Sequence, residues 1–142
     1  MDLTMTPAER WTFLTEVARV CVLSVDAPER APVSSPIWFT ADDGNIAFAI
    51  GPESRKAELL RRSGRATICV QSEDVPYKYV TVEGPVENIG RATEAFRRAE
   101  AVRYLGPDLG DLYIAGTSDE VSDTWVLRPE RWSSIDYAKM QF

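Results

Sequence analysis

Three adjacent residues in the middle of the chain, Ser54, Arg55 and Lys56, carry the pattern best suited to binding chemistry. They follow Gly51-Pro52, which breaks the apolar run 46–50. Ser54 then stands where a helix N-cap belongs, Leu59 and Leu60 give that helix an apolar side, and Gly64 is a natural stop. The charges are unusual for such a helix. Arg61 and Arg62 sit at the C-terminal end, where the helix dipole favours cations, whereas Arg55 and Lys56 sit in the first turn. There the dipole opposes each cation by roughly 0.3–1 kcal/mol. Free backbone N–H groups and two cations at one helix start suit an anion, most simply a phosphate. The same residues also fit a solvated helix face, with Arg55 three positions before Glu58 and Glu58 four before Arg62.

The residue types that are missing narrow the chemistry further. The 142 residues include no histidine, which removes Ser-His-Asp and Cys-His nucleophilic schemes and the usual zinc sites. Cys21 and Cys69 each lie in an apolar β-like run, far apart and without metal-knuckle spacing, so both are expected to be buried thiols. Chemistry in this chain would then belong to a bound cofactor. A net charge of −6 argues against general nucleic-acid binding. No apolar run approaches the ~20 residues needed to span a bilayer, and no signal-peptide pattern is read at the start, so a cytoplasmic location is expected. The length and the 44% hydrophobic content fit a single globular domain over residues 1–142.

The elements that would position the Ser54 region can be read from pattern. Thr6-Pro7-Ala8-Glu9 is a capping box with proline at the first helical position, and Trp11, Leu14 and Ala18, with Phe13 and Val17 alongside, give that helix a broad apolar face. The run 20–25 is almost continuous β-former and predicts a strand covered on both sides. Residues 33–40 predict a strand that is an edge or carries a bulge at Pro36, because proline has no ladder N–H to donate. Asp42-Asp43-Gly44 signals a hairpin into the strand 45–50. Residues 66–71 alternate as a half-buried strand, and 77–88 predict a long one that bends at Gly84-Pro85. Thr93 caps a helix reaching Leu105, with Phe96, Ala99 and Val102 as its apolar line, and Gly106-Pro107 ends it. One further helical turn is expected within 108–116, then a strand over 123–128 and an extended tail through Trp132 and Ile135 to Phe142. About six hairpin-connected strands with helices between them predict an α+β protein built on an antiparallel barrel. A barrel this small fills its own interior, so a ligand would bind outside it, in a groove completed by a second subunit.

The order of these segments also carries a likeness. Arg30-Ala-Pro-Val-Ser-Ser-Pro-Ile-Trp-Phe39, the strand 46–50, Glu53-Ser-Arg-Lys-Ala57 and Tyr77-Lys-Tyr-Val-Thr-Val-Glu-Gly84 together resemble the pyridoxamine 5′-phosphate oxidase-like split-barrel family. The likeness is strongest to the compact branch that uses FMN or the deazaflavin coenzyme F-420, and it extends from the first helix to Pro129-Glu-Arg-Trp132. It implies a homodimer of split barrels with cofactor at the dimer interface. By the same likeness Ser34, Ser35, Pro36 and Ile37 would line the ring system, and Ala49 and Ile50 would border the ribityl chain. Ser54, Arg55 and Lys56 would hold the phosphate, with Tyr79 as another cofactor contact.

Two departures shape the functional expectation. Ile50 stands where the family often has threonine, and a histidine-free chain cannot hold the Arg-Leu-His signature of the vitamin-making oxidases, so pyridoxamine phosphate oxidation itself is not expected. The resemblance therefore implies an FMN- or deazaflavin-dependent oxidoreductase that passes hydride between bound cofactor and a small organic substrate. Trp38, Trp132 and Tyr113 are candidate pocket walls, and no side chain stands out as a general acid or base. The alternative is a non-catalytic carrier of flavin or a tetrapyrrole. Arg61, Arg62 and Arg65 could meet the acidic tail of a deazaflavin or form a solvated helix end.

Overall fold

In the computed structural model, which describes residues 1–140, the helices are α1 (Pro7–Thr15), α2 (Arg55–Ser63) and α3 (Glu94–Gly116). The strands are β1 (Cys21–Val25), β2 (Val33–Ile37), β3 (Thr40–Asp42), β4 (Asn45–Ile50), β5 (Arg65–Ser72), β6 (Lys78–Arg91), β7 (Asp123–Leu127) and β8 (Arg131–Asp136). The expected end of the extended tail, Phe142, lies outside the described residues.

The capping box forms as its residues predict. Thr6 Oγ1 accepts from the Glu9 N–H at 3.1 Å and Glu9 Oε1 accepts from the Thr6 N–H at 2.8 Å, with Pro7 as the first helical residue. α1 stops at Thr15, however, so Val17 and Ala18 fall beyond it. Phe13 and Leu14 carry its burial, with Trp11 packed against the core, and Val17 is half exposed.

All strand pairs are antiparallel, in the order β2-β1-β5-β6-β7-β4-β3, with β8 added on β6. β6 is the spine of this sheet. Its first part pairs with β5 and β8, and from Val86 onward it pairs with β7. The changeover falls at Gly84-Pro85, the predicted bend. A Cβ on Gly84 would stand 1.9 Å from the Arg128 carbonyl oxygen, so only glycine lets the 128–130 backbone cross there. The two ends of the strand path, β2 and β3, are joined by Trp38-Phe39 alone, which curls the sheet into a split barrel. Leu23, Ile46, Phe48, Ile68, Val80, Val82 and Leu127 are fully buried and fill its interior.

Among the described residues, eight strands replace the expected six or so. The predicted strand 33–40 ends at Ile37; Thr40 belongs to β3, whose three residues give no readable alternation. Asp43 (φ 51°) and Gly44 (φ 79°) both take positive φ, as a two-residue hairpin turn requires. The expected extended tail is partly a strand, β8, paired with β6 from Lys78↔Asp136 to Glu83↔Arg131. β1 is not covered on both sides: Val22 faces outward and is 42% exposed, beside Pro36 and Cys69 in the neighbouring strands. β2 is an edge strand, and its register passes Pro36 without a bulge.

α3 is broken at Gly106 (φ 83°), where the sequence predicts a stop, but residues 107–116 form a second helical segment rather than one turn. The two segments fold back on each other. Gly110 approaches the Val102 backbone so closely that a Cβ would lie 3.0 Å from it, and Arg98 pairs with Asp111 at 2.8 Å. The expected apolar line is also corrected: Ala99 is exposed, and Glu100 and Ala101 are the buried residues of the first segment. Among the described residues no helix is long and apolar enough to cross a membrane.

Candidate functional site

The start of α2 is a capped helix end that borders a cavity. Ser54 Oγ accepts from the Ala57 N–H at 3.1 Å and donates to the Gly51 carbonyl at 2.8 Å, which holds the 51–54 turn against the helix. The first-turn amides of Arg55 and Lys56 have no place in the intrahelical ladder. Gly51, Pro52, Glu53 and Ser54 line a cavity of about 600 Å³ together with Arg91 and Val121. Arg55 and Lys56 are not among its lining side chains. Arg55 is exposed and lies 3.4 Å from Glu58, so its side chain fits the solvated-face reading. The cation in this cavity is Arg91, at the end of β6. Its Nε lies 3.3 Å from Asp123 Oδ1, and Asn88 Nδ2 donates to the other carboxylate oxygen at 3.0 Å. The sequence offered only Gly90-Arg91 at the close of the long strand as a signal for it.

The basic cluster after the helix is engaged elsewhere. Arg61 donates to the Pro52 carbonyl at 3.2 Å and Arg65 pairs with Glu130 at 2.6 Å, while Arg62 is exposed.

The other end of the site is organised by Tyr104 of α3. Its hydroxyl accepts from the Phe39 N–H at 3.0 Å and donates to the Arg19 carbonyl at 2.7 Å, tying α3 to the Trp38-Phe39 corner. The Trp38 ring stacks on Tyr104 at 4.9 Å and 5°, and meets Tyr113 at 5.4 Å and 52°. Between this aromatic wall and the sheet lies a cavity of about 290 Å³, lined by Pro36, Ile37, Trp38, Ala49, Arg97, Glu100 and Tyr113, with Glu120 and Ser122 at its rim. A third cavity, bounded by Arg91, Arg97, Glu120, Val121 and Ser122, shares residues with both. The three adjoin one another through these shared residues and together make a candidate groove from the Trp38 corner to the α2 start. The smallest lies at the low end of about 300–1,000 Å³ for ligand pockets, so it suits part of a ligand rather than a whole one.

The predicted residues divide accordingly. Pro36, Ile37 and Ala49 meet at the aromatic end and Ser54 lies at the other. Ser34 points to the outer side of β2, where its hydroxyl meets Ser24 Oγ at 2.8 Å. Ser35 points the other way, and its buried hydroxyl has no hydrogen-bond partner. Ile50 turns into the core and is 3% exposed. Tyr79 lies opposite Gln71 and Ile135, away from the lining of the groove. Of the suggested walls, Trp38 and Tyr113 serve, whereas Trp132 packs against the core under Arg10, 4.5 Å from its ring.

The electrostatics single out one further residue. Burial pushes the Glu100 carboxyl up to about 7, against the opposing pull of Arg97. Arg97 itself is occupied, donating to Thr117 Oγ1 at 2.8 Å and to the Thr117 carbonyl at 3.2 Å. Burial likewise pushes the Cys21 thiol up to about 12, so it is an inert core group. Glu100 was not singled out by sequence reasoning. Its signal was position, one turn from Phe96 and one from Tyr104 on the face that α3 turns inward.

Comparison with known proteins adds lineage to this geometry. A family model described as pyridoxamine 5′-phosphate oxidase matches residues 6–136. No curated protein matches the chain in sequence. Among solved structures, the fold is similar to a conserved hypothetical protein, Rv2991, from Mycobacterium tuberculosis, at TM-score 0.77 and 20% identity, covering 99% of this chain and 92% of that one. An F420 reductase aligns at TM-score 0.67 and 22% identity, over 86% of this chain and 94% of its own. The heme storage protein HutZ from Vibrio cholerae aligns at TM-score 0.66 and 16% identity, over 93% and 95%. At these identities the likeness is one of fold.

Proposed function

The chain belongs to the pyridoxamine 5′-phosphate oxidase family, and from that premise we propose that it is a cytoplasmic, homodimeric oxidoreductase using FMN or a deazaflavin on a small organic substrate. The observation that carries this reading is the groove itself, with an aromatic wall at one end and a helix start with Arg91 at the other. The residues present fit such a cofactor at each end. Trp38 and Tyr113 offer a wall for a ring at the aromatic end, and the α2 first-turn amides and Arg91, whose charge is shared with Asp123, offer donors for a phosphate. The bound ring would supply hydride transfer. The protein's own part is to orient and bind: Pro36, Ile37 and Ala49 give a flat apolar floor, Trp38 is held in place by stacking on Tyr104, and Ser54 braces the turn that presents the amides.

A carrier reading draws on the fold likeness to the heme storage protein. A histidine-free chain weighs against it for heme held by a histidine ligand. The two are separated by loading the purified protein with FMN or the deazaflavin, reducing the bound ring, and following its reoxidation by small organic acceptors. The oxidoreductase reading expects substrate-dependent reoxidation, by a species sedimenting at twice the chain mass. Stoichiometric binding with no acceptor-dependent reoxidation would support the carrier.

A further inference from the structure

Glu100 is 7% exposed, its Oε2 is buried without a hydrogen-bond partner, and it lines the aromatic cavity with Trp38, Tyr113 and Ile37. Oε2 has no surface open to the cavity, so the other carboxyl oxygen is the one a ligand there would meet. The neighbouring cation does not meet it, because Arg97 is bound to Thr117 across the α3 hairpin. We infer that Glu100 reads the N–H edge of a flat heteroaromatic ligand, whose ring lies between the Trp38–Tyr113 wall and the Pro36–Ile37 strand. This inference rests on the cofactor reading above and sharpens it.

The chemistry selects among flat ligands. The pyrimidinedione edge shared by flavins and deazaflavins carries one N–H flanked by carbonyls. The carboxyl oxygen open to the cavity can accept from that N–H. Burial favours the neutral carboxyl up to about pH 7. An iron porphyrin presents no N–H for that carboxyl to read. The groups that act on Glu100 or share its cavity are Arg97 and Tyr113 from α3, Glu120 from the loop before β7, and Cys21 from β1. With Arg97 held by Thr117 and Cys21 neutral below about pH 12, Glu100 is the group whose charge changes near neutrality.

The test compares FMN with its N3-methyl analogue, which lacks that N–H, by fluorescence titration of the full chain at pH 6 and pH 8. The wild type is expected to prefer FMN at least tenfold at pH 6 and no less at pH 8, where the ionised carboxyl is the stronger acceptor for that N–H. Glu100→Ala is expected to lose the preference, while Glu100→Gln, a permanent donor–acceptor pair, keeps it at both pH values. The same three proteins bound to the deazaflavin give the parallel comparison at pH 6 and pH 8. Thermal melts of each variant confirm that the proteins compared are folded. Binding of both FMN forms with equal affinity by wild type and Glu100→Ala would overturn the inference and leave the cofactor reading standing. Binding of neither FMN nor the deazaflavin would remove both.

Discussion

At the scale of single residues, Glu100 carries a stability cost that ligand binding would offset. A carboxyl whose folded value is raised from its ordinary 4.5 to about 7 is favoured by folding only while protonated. The unfolded chain releases that proton near pH 4.5 and the folded one near pH 7, so between those values stability falls as pH rises. Glu100→Gln removes the ionisation. The variant should be more stable than wild type at pH 8, on the order of 2–3 kcal/mol, with the difference shrinking towards pH 4.5. Urea unfolding at pH 5 and pH 8 measures it, and a pH-independent difference would contradict the assignment. The residue scale is also where sequence reading was least complete. Ser54 was legible because an N-cap has a local signature, and its Oγ meets the Ala57 N–H as that signature requires. Arg55 was ambiguous on spacing alone, and the structure gives its side chain to Glu58. Arg91 and Glu100 could not be found that way: one reaches the helix start across the sheet, and the other looks like any charged helix residue until its neighbours are known.

At the scale of elements, local signals translated well where the chain itself makes the turn. The Thr6–Glu9 box, the Asp43-Gly44 hairpin and the Gly106 break all form where residue chemistry places them. β3 and β8 were not legible as strands because pairing with β4 and β6, rather than propensity, holds them extended. The second segment of α3 was missed for a similar reason: the hairpin contact of Gly110 on Val102 stabilises a helix that sequence alone left as one turn. Gly84 is the element-scale position most open to test. Its missing side chain lets Arg128 N–H reach the Pro85 carbonyl at 3.0 Å and Glu130 N–H reach the Glu83 carbonyl at 2.9 Å, where β6 changes partners. Gly84→Ala should cost roughly 3 kcal/mol through overlap with backbone that has no room to move. Gly44→Asn is its control, since a positive-φ hairpin turn with open space accepts asparagine. Equal midpoints for the two variants in chemical denaturation would refute this view of the crossing.

At the scale of the whole molecule, the split barrel fills its interior with packed side chains, and the cavities described lie outside it. The groove exists because α3 is pinned by Tyr104 to the corner that closes the sheet, while the α2 start and the end of β6 converge at its far end. The sequence order of segments foretold the family and the fold; the path of the groove depends on α3 folding back, which no segment encodes alone. The central claim is that this groove holds a ring at one end and an anion at the other. Its most direct measurement is a fluorescence titration with FMN and with the deazaflavin, each against its phosphate-free riboside, on wild type and Arg91→Ala. Wild type should bind the phosphorylated form at least tenfold more tightly, about 1.4 kcal/mol, and Arg91→Ala should lose most of that preference. Equal affinity of wild type for the phosphorylated and phosphate-free forms would contradict the account.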